Sequence, residues 1–124
     1  MEIESLATEW IFAIRNKVDS ERVSKAESAV LELELDDPET LWLLILEILS
    51  RKNVTDVLET LGAGPLEELI ALNGGEYFER IHQESQKNEK FAEALKSVWV
   101  DEEVKPSVEA FTEIGCIFVS SKAT

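Results

Sequence analysis

Asp36-Asp37-Pro38-Glu39-Thr40-Leu41-Trp42-Leu43-Leu44-Ile45-Leu46-Glu47-Ile48-Leu49 is the stretch on which the fold turns. An acidic side chain offers a cap, proline takes the first helical position and Glu39 puts negative charge in the first turn. Together these predict a helix start at 38. The apolar residues that follow cover nearly every face, and a helix apolar all round is usually the buried centre of its fold. Trp42 is its largest side chain and is expected in the core. The longest uninterrupted apolar run, Leu41 to Leu46, is far shorter than a membrane span and ends at Glu47.

Working back towards the N-terminus, Ile3, Leu6, Ala7, Trp10, Ile11, Ile14 and Val18 recur at spacings of three and four, which predicts a first helix with one apolar stripe. Asp19 or Ser20 offers the next cap. A second helix then places Val23, Ala26, Val30 and Leu33 on its inner face. Within it, Leu31-Glu32-Leu33-Glu34-Leu35 alternates with period two and also fits a short strand. Helix is preferred, because the periodic face continues in from Val23 and both Glu and Leu are good helix formers.

Working forward, Arg51-Lys52-Asn53 closes the third helix with cations at the negative dipole end and an Asn suited to a left-handed cap. Val54, Val57, Leu58 and Leu61 predict a short fourth helix ending at Gly62. Gly64-Pro65 restarts the chain with Leu66, Leu69 and Ile70 inward, and Asn73-Gly74-Gly75 breaks it again. A sixth helix carries Tyr77, Phe78 and Ile81. Asn88 caps a seventh with Phe91, Ala92, Leu95, Val98 and Trp99. The last helical pattern is Val104, Val108 and Phe111, with Pro106 in its first turn and Gly115 past its end.

The expected fold class is therefore all-α, with seven or eight short antiparallel helices. They form either an irregular bundle or a HEAT-like α-α array. Helix starts near 38, 65 and 89 recur at intervals of 27 and 24 residues, which favours the array, although no repeat is visible in the residues themselves. Residues 1–115 read as a single helical domain. Residues 116–124 read as an apolar tail, in which Cys116-Ile117-Phe118-Val119 is extended and lies on the helical core or pairs with another chain.

The 124 residues hold 26 Asp and Glu against 12 Lys and Arg, a net charge of −14. Such an excess repels nucleic acid and anionic lipid and favours a protein partner with a basic surface. The densest run is Glu32, Glu34, Asp36, Asp37 and Glu39, read as a solvated face and cap or as a protein-binding acidic patch. Met1-Glu2-Ile3-Glu4 lacks the basic start and apolar core of a signal peptide, so a cytoplasmic location is expected. With Cys116 as the single cysteine, no intramolecular disulfide is possible.

The inventory for chemistry is thin. His82 is the one histidine. Glu79-Arg80-Ile81-His82 has the Glu-x-x-His spacing of di-metal bundles, but such a site needs a second motif and two further glutamates. Asp36, Asp37 and Glu39 lack the loop of a calcium site and are explained by capping. Gly62-Ala63-Gly64-Pro65 lacks the Lys-Ser/Thr of a phosphate loop. Trp10, Trp42 and Trp99 each sit on an apolar helical face and read as core. No catalytic, cofactor-binding or metal residue is assigned, and no cofactor is expected.

Leu6-Ala7-x-x-Trp10-Ile11, Asp36-Asp37-Pro38-Glu39, Leu44-Ile45-Leu46-Glu47-Ile48-Leu49, Val57-Leu58-x-x-Leu61, Gly64-Pro65-Leu66-Glu67-Glu68-Leu69 and Phe91-x-x-Ala94-Leu95-x-x-Val98-Trp99 resemble the bacterial family catalogued as domain of unknown function 6869. The resemblance covers about residues 5–100. It implies a small bacterial all-helical protein and brings no activity with it. The residues themselves favour a non-enzymatic domain that binds a basic protein, as immunity proteins and antitoxins do. The alternatives are a scaffold joined through Ile117–Val119 and an unrecognised enzyme using Glu79 and His82.

Overall fold

In a computed structural model the chain is described for residues 2–18 and 20–120. Asp19, one of the two expected caps, and tail residues 121–124 lie outside the described residues. The fold is all-α, about 75% helical. By contacts the chain groups into two compact units that divide between Val57 and Leu58.

In the first unit, α1 (Ile3–Asn16) buries Leu6, Ala7, Trp10 and Ile11 of the expected stripe, leaves Ile3 and Ile14 half-buried, and buries Ala13, which that stripe did not include. Lys17 takes a left-handed conformation and returns its N–H to the Ala13 carbonyl, which stops the helix. Val18 falls beyond that stop and is exposed rather than continuing the stripe. Ser20 starts α2 (Glu21–Asp36), its hydroxyl accepting the Val23 N–H at 3.2 Å. The alternating Leu31–Leu35 segment lies within α2 and is helical.

Asp37 and Pro38 start α3 (Pro38–Ser50) as expected. Leu41, Trp42, Leu44, Ile45, Ile48 and Leu49 are buried, but Leu43 is exposed. The helix is thus covered on most sides rather than all. It ends at Ser50, directly before Arg51 and Lys52, and Asn53 adopts its left-handed conformation (φ 58°) in the following loop. α1 packs on both α2 and α3, which also touch each other. Arg22 donates to both carboxylate oxygens of Glu9 at 2.7 and 3.0 Å, tying α2 to α1.

The second unit departs from the sequence reading at Gly62. The chain passes from α4 (Leu58–Leu61) through a π turn at Gly62–Leu66 into α5 (Glu67–Lys87), so no new helix starts at 65. Proline has no N–H to give and crowds the preceding turn of an α-helix. Here the wider turn accommodates it, with the Glu67 N–H reaching back to the Gly62 carbonyl. The interval argument for stacked repeats loses its middle member.

Asn73, at φ −138° and ψ 21°, turns the expected break into a kink inside α5. Gly74 is required there, since a Cβ would lie 2.5 Å from the Lys105 carbonyl oxygen and 3.3 Å from the Phe111 ring. Asn88 caps α6 (Glu89–Leu95) by accepting the Lys90 and Phe91 N–H groups.

α6 stops at Leu95, short of Val98 and Trp99. Those two continue its spacing, but Trp99–Val100 forms a strand, β1, that pairs in parallel with β2 (Ile117–Phe118). Aromatic and β-branched residues suit that extended pairing. The final helix, α7 (Val108–Glu113), is capped by Ser107, so Val104 and Pro106 precede it instead of forming its first turn. Gly115 follows at φ 127°, a conformation that favours glycine.

Gly62 lets two backbones meet: a Cβ there would collide with the carbonyl oxygen of Ala94 at the end of α6. Gly64, two residues on, faces open space. Gly62→Ala is expected to cost at least about 2 kcal/mol, because the neighbour is backbone and cannot swing aside. Gly64→Ala should be neutral or stabilise by up to about 1 kcal/mol. Urea denaturation of both variants checks this, and equal stabilities would contradict the close approach.

Candidate functional site

The acidic run does not form one patch. Glu32 and Asp36 are a turn apart on α2, and both are exposed. Glu34 is two residues from each, which turns it roughly 200° around the helix, and it is half-buried. Glu39 is exposed in the first turn of α3. Asp37 is committed to capping: its carboxylate accepts the Thr40 N–H at 3.2 Å and the Thr40 hydroxyl at 2.7 Å. The hydroxyl bond, followed by the backbone bond, holds the Asp37 carboxyl below its ordinary pKa.

Leucines accompany the two exposed α2 acids. Leu31 is 53% exposed and Leu35 is 66% exposed, one turn apart on the helix. Glu27 continues their row and Ser28 continues that of Glu32 and Asp36, all of them exposed. The outer face of α2 therefore carries an apolar row directly beside an acidic one. The sequence reading takes the acids as a candidate surface and gives these leucines a place in the helix only. The signal was present, since neither falls on the Val23, Ala26, Val30 stripe that α2 buries.

The tail forms a second candidate surface. The Ile117 and Val119 N–H groups donate to the Val98 and Val100 carbonyls at 2.8 and 2.9 Å, so residues 117–119 lie along their own chain. Trp99, expected in the core, is 59% exposed beside its register partner Ile117, itself 44% exposed. Phe118 is exposed as well. Trp99 and Ile117 join Glu59, Glu67 and Lys96 around a depression of about 390 Å³. The Trp99 N–H, on the side of β1 away from β2, donates to a Glu67 carboxylate oxygen at 2.7 Å.

Cys116 is buried, and burial, with a smaller contribution from the Glu67 carboxylate, pushes its thiol up to about 12. At neutral pH it is a protonated thiol and packs as a small apolar group. His82 is half-buried with its ring 5.7 Å from that of Phe78, while Glu79 is exposed one turn earlier. Among the described residues no group of three or more His, Cys, Asp or Glu is placed to hold a metal ion. Nor is any helix among them long and apolar enough to cross a membrane.

Short, irregular helices with apolar interiors and acids on the outside define an all-α domain. A model for a family of unknown function, DUF6869, matches residues 13–113, and the chain belongs to that family. The match runs through α7, beyond the motifs that carry the resemblance in the sequence. No curated protein and no solved structure matches the chain.

The Asp37 cap has a pH signature. Because its folded-state pKa lies below the unfolded value, its stabilisation is present above the ordinary value of 3.8 and is lost as pH falls through the folded one. Asp37→Asn keeps a capping oxygen without this titration. Below about pH 4 the melting temperature of the wild-type chain should fall more steeply than that of D37N. Parallel curves would remove the carboxylate from the cap.

Proposed function

We propose that the chain is a protein-interaction domain whose outer α2 face receives a partner with a basic surface around an apolar contact. The observation that carries this is the row Leu31 and Leu35, left in water beside Glu32 and Asp36. Exposed apolar side chains bordered by charge suit an interface, with the leucines supplying contact and the acids orienting the approach. Net charge steers such encounters from a distance. An immunity- or antitoxin-like role fits this arrangement, the acidic face covering a basic effector.

Capture from the native host, compared between the wild-type chain and a Leu31→Asp/Leu35→Asp variant, tests the face. The double variant should keep its helical circular dichroism. It should bind the captured partner at least roughly tenfold more weakly, about 1.4 kcal/mol. Wild-type binding should weaken as salt rises. Equal capture by both chains, or salt-independent capture, would count against the α2 face.

A second reading, assembly of copies through the tail, is supported by the exposed Trp99, Ile117 and Phe118. The outer edge of β2 offers backbone groups for a further strand. Light scattering of Ile117→Lys/Phe118→Lys checks it. A lower mass than wild type favours assembly, and an unchanged mass rejects it.

A further inference from the structure

We propose that the first unit contains a binding site for a monovalent carboxylate carried on an apolar stem. The site is a cleft of about 430 Å³ between α1, the start of α2 and the loop after α3. That is within the roughly 300–1,000 Å³ typical of small-molecule sites. Arg15, Arg22, Arg51 and Lys52 all line it, and its nine lining residues include no acid. In a chain where acids outnumber bases by 26 to 12, four cations line the cleft without a lining carboxylate; three are paired from behind, and among the described residues Lys52 is left as the uncompensated charge.

The cations are held in position from behind. Arg15 donates Nε and Nη2 to the two Asp56 carboxylate oxygens at 2.9 and 3.0 Å, and Nη2 also to the Asn53 carbonyl at 2.6 Å. Arg22 donates Nε and Nη2 to Glu9. Both therefore keep the Nη1 donors without a protein partner among the described residues. Arg51 is fixed by Glu47, the Thr8 hydroxyl and the Glu4 carbonyl. None of the acids that hold these guanidiniums lines the cleft.

Phe12 and Val54 supply the apolar part. The Arg22 guanidinium lies 3.5 Å from the centre of the Phe12 ring, so charge and apolar surface meet at one point. A carboxylate fits the unused guanidinium edges, and an apolar stem fits the Phe12 side. The rest of the molecule selects against higher charge, because every further negative charge meets the field of the −14 chain. At physiological salt that field is screened beyond about 8 Å, while the lining cations act within contact distance. This site takes an anion where the α2 face takes a cation, so either can fail without the other.

Amide shifts of the 124-residue chain, titrated with 3-phenylpropionate, test the site. 3-Phenylpropanamide is the neutral control, inorganic phosphate the stemless anion and N-acetyl-Ala-Phe the peptide-borne carboxylate. Saturable shifts at Phe12, Arg15, Lys52 and Val54 are expected with both carboxylates, and the tighter of the two identifies the source as free acid or peptide terminus. The amide should bind at least about tenfold more weakly, and Lys52→Gln should weaken the acid by roughly threefold or more. Lys52 is exposed and makes no ion pair among the described residues, so its substitution spares the fold. Arg22→Gln, checked by circular dichroism, gives a second reading of the same loss. Absence of saturable shifts, equal binding of acid and amide, phosphate binding as tightly as the acid, or unchanged affinity in both variants would overturn the proposal.

Discussion

Fourteen uncompensated negative charges have to stay in water, and that requirement governs how the helices of this chain are arranged. No charged side chain is buried among the described residues. Each long helix accordingly turns one apolar stripe inward and leaves its acids outside. Moving an unpaired carboxylate into an apolar interior costs several kcal/mol, more than one buried leucine returns. The interior is consequently built mostly from Leu, Ile, Val, Phe, Trp and Ala, with Tyr77 and Cys116 among them. Arginine pairs do the orienting at the surface, where Arg22 and Glu9 join α2 to α1 and Arg15 and Asp56 join α1 to the turn at residues 55–57.

Against that rule the exceptions become informative. Leu31 and Leu35 are apolar groups left in water beside acids, and the lining of the α1–α2 cleft is cationic in an anionic chain. Neither is needed to close the core. The first offers contact area to a large surface, the second a small pocket with an oriented charge, and the two call for different partners.

Local chemistry was legible in the sequence; pairing between distant residues was not. Ser20, Asp37-Pro38 and Asn88 announce helix starts, because a cap is a contact between neighbours. Pro65 misleads, since its ring sits in a widened turn that continues the helix, and the same turn brings Gly62 against Ala94 some thirty residues away. Val98 and Trp99 keep the spacing of α6, yet they leave it for a partner, residues 117–119, that no local window contains. At the surface the acids were visible by composition. Their division into a cap, a half-buried residue and an exposed row required the helix phase, as did the leucines between them.

One carboxylate has a further consequence. By accepting the Trp99 N–H, Glu67 occupies the outward donor of β1, so on that side the small ribbon of β1 and β2 keeps an acceptor without its donor, whereas the β2 edge is not blocked in this way. A ribbon with one usable edge can mate once and is then finished. With two it could be extended indefinitely, copy upon copy, into a fibre. Were copies to mate through β2, that acid in the first turn of α5 would favour a closed pair over an open polymer.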